Sequence, residues 1–264
     1  MNLNLNEKVI IVTGGAKGIG EGIVSQLALE GAFPVIIGRN ADDNAHALEK
    51  LTAAGGYGIT IEAELSDPNE CKKAIDKVMS HFGRIHGLVN NAGVNDGVGL
   101  EQGSYEAFMK SIHANLTHYY LMAHYALPAL KESKGAIVNI TSKTAETGQG
   151  GTSAYAAANG GRNALTREWA VELLPYGIRV NAVVVAESYT PQYEKWIKTL
   201  PDGEQQLQEI KDRIPLGNRM TTPEEIANMV VFLLSKRSSH TTGQIIHVDG
   251  GYVHLDRALL KTDS

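Results

Sequence analysis

Residues 8–20 read K-V-I-I-V-T-G-G-A-K-G-I-G. Lys8 to Thr13 is a continuous apolar run between a charge and a glycine, the pattern of a strand buried on both faces. Glycines follow at 14, 18 and 20, and then Ile19 to Glu30 places Ile19, Ile23, Val24 and Leu27 on one helical face before Gly31 ends it. This strand, turn and helix open an alternation that runs along the whole chain. Phe33 to Gly38 and Gly58 to Glu64 read as strands around a helix over 42–53, and Pro68 opens a third helix behind Asp67 as N-cap. Leu88 to Asn90, Ala136 to Ile140, Arg179 to Val185 and Gln244 to Val248 complete the strands. Seven apolar strands joined by crossover stretches call for parallel pairing. The expected class is α/β: one doubly wound, parallel, seven-stranded sheet with helices on both faces, spanning 1–264 as a single domain. The irregular stretch 187–222, punctuated by Pro191, Pro201 and Pro215, is expected to form a substrate-binding flap.

Composition narrows the function classes. Of 264 residues, 43% are hydrophobic and 20% charged, which excludes a disordered or fibrous chain. Twenty-four Lys and Arg against 29 Asp and Glu leave a net charge of −5 with no basic run, so no nucleic-acid partner is expected. No apolar run reaches the roughly 18 residues of a membrane span, and the M-N-L-N-L-N-E-K start lacks the features of a secretory leader. A lone Cys71 fits a reducing compartment, and a cytoplasmic location is expected. His113, His118 and His124 fall off any single helical face, so no metal site is expected. No G-x-S-x-G turn exists, which removes the serine-hydrolase reading.

The glycine turn carries the first chemical signal. Gly14, Gly18 and Gly20 between a strand and a helix give a tight turn, a backbone open to a diphosphate and a helix N-terminus aimed at it. The end of the second strand selects the dinucleotide, because an acid there bonds the ribose 2′-hydroxyl of NAD and a cation accommodates the 2′-phosphate of NADP. Arg39 occupies that position and Lys17 sits inside the turn, so NADP is expected, with NAD as the alternative.

Asn90 to Gly93 (N-N-A-G) closes the fourth strand, Asn115 follows, and Tyr155 lies thirteen positions after Ser142. Hydride transfer at a carbon requires its oxygen to lose or gain a proton. A phenol can do that if its pKa falls toward neutral, and a hydroxyl such as Ser142 can orient the same oxygen. Together with the glycine turn, these residues resemble the short-chain dehydrogenase/reductase family over nearly the whole chain, with its Rossmann-like fold. The resemblance implies Tyr155 as general acid/base, Ser142 as the group positioning the reacting oxygen, and Asn115 as holder of a water in a proton relay. It further implies that Ile19, Asn40, Glu64, Leu65, Asn91, Ala92, Gly93, Val185, Glu187, Ser188 and Thr190 lie along the cofactor, and that the protein is a homotetramer.

Three departures stand out. The family's Y-x-x-x-K reads Y-A-A-A-N here, with Asn159 at the lysine position, so the charge that would favour a Tyr155 phenolate is missing; Lys143 is the candidate substitute, and slow turnover is expected. Val185-Ala186 stands where the family has Pro-Gly, and Glu64 replaces an aspartate near adenine. The positions that face substrate in the family hold Asn95, Asp96, Lys143, Glu146, Gln149, Glu187, Tyr193 and Trp196, a polar set suited to a polyhydroxylated ligand. The segments S-K-T-A-E-T-G-Q-G, T-P-Q-Y-E-K-W-I and D-G-G-Y-V-H-L-D-R resemble the sugar-oxidising branch, the L-fucose and aldose 1-dehydrogenases. The expected activity is oxidation of an aldose's anomeric hydroxyl to a lactone, with Asn95, Ser142, Lys143, Gln149, Tyr155, Glu187 and Trp196 facing the sugar. The alternatives are a 3-oxoacyl or carbonyl reductase, or a dinucleotide-binding protein without catalysis.

Overall fold

The apolar runs become seven parallel strands in the order β3-β2-β1-β4-β5-β6-β7. They are β1 (Val9–Thr13), β2 (Phe33–Gly38), β3 (Ile59–Glu62), β4 (Gly87–Asn90), β5 (Ala136–Ser142), β6 (Arg179–Val185) and β7 (Ile245–Val248). This computed structural model describes residues 2–255. Every residue of β1, β4 and β5 is buried, as strands covered on both faces must be. β3 is shorter than the expected 58–64, and as an edge strand it pairs only with β2, over Ile59–Glu62.

Alternate residues feed two cores. Val9, Ile11, Val35, Ile37 and Leu88 face one, packed under α3 (Pro68–Phe82), α5 (His118–Ser133) and α6 (Ser153–Glu172). Ile10, Val12, Ile36, Val89 and Val138 face the other, under α1 (Gly18–Leu29), α2 (Ala41–Ala53) and α9 (Pro223–Leu234). The expected caps form: Asp67 accepts from the Asn69 amide at 2.8 Å with Pro68 in the first turn of α3. Cys71 is buried in the first core, and burial pushes its thiol up to about 12, so it is no nucleophile.

Between β4 and β5 lie α4 (Tyr105–Ile112) and α5, joined by a π-helical turn over His113–Thr117. The stretch 187–222 is less irregular than expected. Pro191 starts a helix, α7 (Pro191–Ile197), behind Thr190 as N-cap, and α8 (Gly203–Asp212) follows. Prolines are tolerated in a helix's first turn, and that is what Pro191 does here.

The close approach of α1 and α9 rests on Gly22, where a Cβ would lie 2.8 Å from Pro223 Cβ and 3.0 Å from its carbonyl oxygen. Gly22→Val is expected to wedge these helices apart and cost about 1–3 kcal/mol, as overpacking does; urea unfolding monitored by circular dichroism measures it.

Candidate active site

The strand order reverses direction between β1 and β4, and the cleft opens at their carboxyl ends. Thr13 and Asn91 lock this point. The Thr13 hydroxyl accepts from the amides of Asn91 (2.9 Å) and Ala92 (3.1 Å), and Asn91 Nδ2 donates to the carbonyls of Thr13 (2.9 Å) and Gly14 (3.2 Å). Gly14 and Gly18 both have left-handed backbone, at φ +63° and +58°. A Cβ at Gly14 would press on Ala92 Cα at 3.0 Å, and one at Gly18 would press on Thr190 Cγ2 at 3.2 Å. Gly14, Lys17, Gly18, Ile19, Gly20, Asn91, Ala92 and Thr190 therefore come together. No side chain caps the first turn of α1, whose amides are left for an acceptor. Together, the cradle and the uncapped turn fit a dinucleotide diphosphate.

Arg39 directly follows β2, highly exposed and 4.0 Å from Glu64. Asn40 spends its side-chain oxygen capping α2 through the Asp43 amide at 2.8 Å, and Lys17 pairs with Asp43 at 2.6 Å. The side chains of Leu65 and Val185 belong to the two cores. Buried Ser188 has a hydroxyl without a hydrogen-bond partner.

Tyr155 stands partly exposed in the first turn of α6, which is tied to the loop after N-N-A-G by the Ala154 amide donating to the Val98 carbonyl at 3.2 Å. Ser142 ends β5, its Oγ accepting from the Thr144 amide at 3.3 Å. Behind Tyr155, α6 presents Asn159 and Arg162, both buried. Asn159 has no exposed surface: its Nδ2 donates to the Tyr155 carbonyl (2.9 Å) and its Oδ1 accepts from Arg162 (2.9 Å). Both ends of the Asn159 amide are thus engaged by α6 itself. Asn115 is equally buried, with Oδ1 accepting from the Val94 amide at 2.8 Å and its carbonyl accepting from Arg162 Nε at 2.7 Å. The π turn presents that carbonyl to a side chain. Arg162 thus bonds directly the residue expected to hold a relay water.

Lys143 is not a free substitute for the missing lysine. It is buried, ion-paired with Glu187 from the segment after β6, and lies 4.3 Å from the centroid of the Tyr252 ring. Tyr193 hydrogen-bonds the same carboxylate, and burial first and Glu187 second push its phenol up. Of the other expected substrate residues, Asn95, Gln149 and Trp196 are exposed; Asn95 accepts from the Gly97 amide at 3.3 Å, and Trp196 packs edge-on against Tyr193.

Two groupings went unforeseen. Arg162 shares one helical face with Tyr155 and Asn159, at spacings of seven and three, and that spacing was the available signal. Glu146, His247 and His254 bring three potential ligand atoms within 4.8 Å of one another, where no metal was expected. Glu146 and His254 are exposed and His247 bonds Glu146 at 3.1 Å, so the trio is accounted for as a hydrogen-bonded rim.

The comparisons agree with this geometry. The profile of a family described as enoyl-(acyl carrier protein) reductase matches residues 14–253. The chain belongs to the short-chain dehydrogenase/reductase family. It is 36% identical to the 3-oxoacyl-[acyl-carrier-protein] reductase of Thermotoga maritima, covering 95% of this chain and all of that one. It is also 36% identical to the sorbitol-6-phosphate 2-dehydrogenase of Klebsiella pneumoniae, covering 94% and 97%. Among solved structures it resembles the Cj0485 dehydrogenase (48% identity, TM-score 0.93, covering 98% and 99%). It also resembles the aldohexose dehydrogenase of Thermoplasma acidophilum (30%, TM-score 0.87, 97% and 98%). The protein is an oxidoreductase of a family that uses NAD(P).

Two histidines, buried His118 and half-buried His86, give the stability of the fold a pH dependence. Burial, and then Arg162, hold His118 at about 3, and burial with Lys8 and Arg84 holds His86 at about 4. The unfolded chain takes up these protons first, near pH 6.5. Their contribution to stability is therefore complete above pH 6.5 and is lost as pH falls toward 3. For His118 the slope reaches about 1.4 kcal/mol per pH unit. His118→Gln is expected to flatten the acid limb of stability against pH, measured by denaturant unfolding at several pH values.

Proposed function

We propose that this short-chain dehydrogenase oxidises the anomeric hydroxyl of an aldose such as L-fucose to the lactone, with NADP preferred and NAD the alternative. In this reading Tyr155 takes the proton of the sugar hydroxyl and Ser142 orients its oxygen. The cofactor, when bound, supplies the hydride acceptor. Gly14, Lys17, Gly18, Ile19, Gly20, Arg39, Asn91 and Thr190 would hold it, with Asn40, Glu64, Leu65, Ala92, Gly93, Val185, Glu187 and Ser188 nearby. The stretch 187–222 acts as the substrate flap of a single domain.

The observation that carries the substrate class is the buried Lys143–Glu187 pair with Tyr193 and Tyr252 against it, at the strand ends beside Ser142. Such a wall offers donors and acceptors to hydroxyls and suits an acyl chain poorly. The sorbitol-6-phosphate and aldohexose dehydrogenases among the relatives lend it support. The 3-oxoacyl reductase relative supports the alternative of carbonyl reduction on an acyl carrier. A homotetramer acting in the cytoplasm completes the reading: Ala157 of α6 is exposed, a Cβ at Gly160 would meet nothing within 4 Å, and Val171 and Leu174 are exposed near its end.

An aldose panel assayed with both oxidised cofactors tests this, with 3-oxoacyl thioesters and the reduced cofactors as the counter-panel. Glu187→Gln is expected to lower kcat/KM for the sugar by about 10–100-fold, the worth of a hydrogen bond to a charged group. Unchanged sugar kinetics would remove Glu187 from the sugar pocket.

Arg39 is free to meet a 2′-phosphate, its nearest carboxylate being 4.0 Å away. Arg39→Ala is expected to weaken NADP binding by about 10–100-fold and leave NAD binding nearly unchanged. Calorimetric titration of both cofactors measures this, and tighter binding of NAD by the unmodified protein would refute the preference.

A further inference from the structure

Arg162 is 3% exposed, and its described hydrogen bonds all go to neutral oxygens. Nε reaches the Asn115 carbonyl at 2.7 Å, one terminal nitrogen reaches Asn159 Oδ1 at 2.9 Å and the Ile140 carbonyl at 3.3 Å, and the other reaches Asn115 Oδ1 at 3.5 Å. The guanidinium lies 4.2 Å from the centroid of the Tyr119 ring and 6.0 Å from that of Tyr155. Room for it exists because residue 93 is glycine: a Cβ there would stand 2.8 Å from an Arg162 nitrogen. Withdrawing a cation from water without a counter-ion is expensive, and a neutral amide could tie these carbonyls together at lower cost. The positive charge itself therefore has a use.

We propose that Arg162 supplies the fixed positive charge of the proton-transfer site, acting on Tyr155 through space and through Asn159. Arg162 is a positioning residue, not one that touches substrate. This inference rests on the reading of Tyr155 as the acid/base of the proposed oxidation. A positive charge held this close favours the phenolate over the neutral phenol.

The other titratable groups facing this site leave Arg162 as its charge. From α5, buried His118 is held at about 3 and so is neutral at pH 7, and burial pushes the Tyr119 phenol up, so it too is neutral. Lys143, from the turn after β5, is cancelled by Glu187. Asp96, from the loop after β4, accepts from the Ser111 hydroxyl at 2.9 Å and reaches Asn115 only through it. Glu106 and Lys110 of α4 and His113 of the π turn are exposed.

The first measurement needs no substrate: the phenolate absorbance of the unmodified protein is titrated against that of Tyr155→Phe, and the difference reports Tyr155. Ionisation below the free phenol's range supports the inference, and ionisation at or above about pH 10 overturns it. The second is the kcat–pH profile. Arg162→Gln is expected to move its limb to higher pH and lower kcat at pH 7 by roughly 10–100-fold, with cofactor KM nearly unchanged; Arg162→Lys should keep the limb close to the parent's. A uniform fall in kcat with an unmoved limb would make Arg162 scaffold alone and overturn the inference. Asn159→Lys is expected to lower turnover by seating a second cation against the first, and a rise would count against Arg162. If no aldose is oxidised but the Tyr155 titration follows Arg162, the substrate reading falls and this inference stands.

Discussion

The hydrogen bonds between Thr13 and Asn91 set the geometry on which the rest of the site depends. β1 and β4 are neighbours, but their chains leave the sheet toward opposite faces, which is why a cleft opens at their ends. A hydroxyl and a carboxamide, both largely withdrawn from water, close that cleft's floor by joining the glycine turn to N-N-A-G. Three later elements meet this floor: α1 from the turn, α6 through the Ala154–Val98 bond, and the start of α7 through Thr190 against Gly18.

Beneath the cleft, polar contacts do what apolar packing does elsewhere. Asn90 donates to Asn139 at 3.0 Å, Asn139 to the Thr166 hydroxyl at 2.9 Å, and that hydroxyl to the Arg162 carbonyl at 2.8 Å. The Tyr119 hydroxyl donates to the Ile140 carbonyl at 2.9 Å, beside the guanidinium. Directional bonds of this kind hold β4, β5, α5 and α6 in one register, because a slip would strand buried donors. The cost of such a layer is met by the two hydrophobic cores on either side of the sheet.

The strands were legible because their burial on both faces leaves an uninterrupted apolar trace, and Arg179 to Val185 matches to the residue. The edge strand β3 was overextended, since an alternating edge has no sharp end in sequence. The helices α7 and α8 were missed because Pro191 reads as a breaker and also serves as a helix's first residue. Within the site, the glycine turn, Ser142 and Tyr155 were readable from local pattern. Arg162 was not, because it is set apart by neutral partners that come in part from two other segments, the π turn and β5, and no local pattern records a missing counter-ion. Lys143 misled for the converse reason: its carboxylate partner is 44 residues away in sequence.

The packing of Arg162 under Gly93 links three positions that the chain keeps far apart. Any side chain at 93 displaces the guanidinium, any cation at 159 repels it, and its loss takes from the buried Asn159 oxygen the donor it has in Arg162. Substitutions at the three sites are therefore strongly non-additive. With Arg162 as the charge of the site, a lysine at 159 is compatible with it only once Arg162 has changed as well. The arrangement works as a ratchet, in which the order of changes, and not their number, decides which variants are reachable.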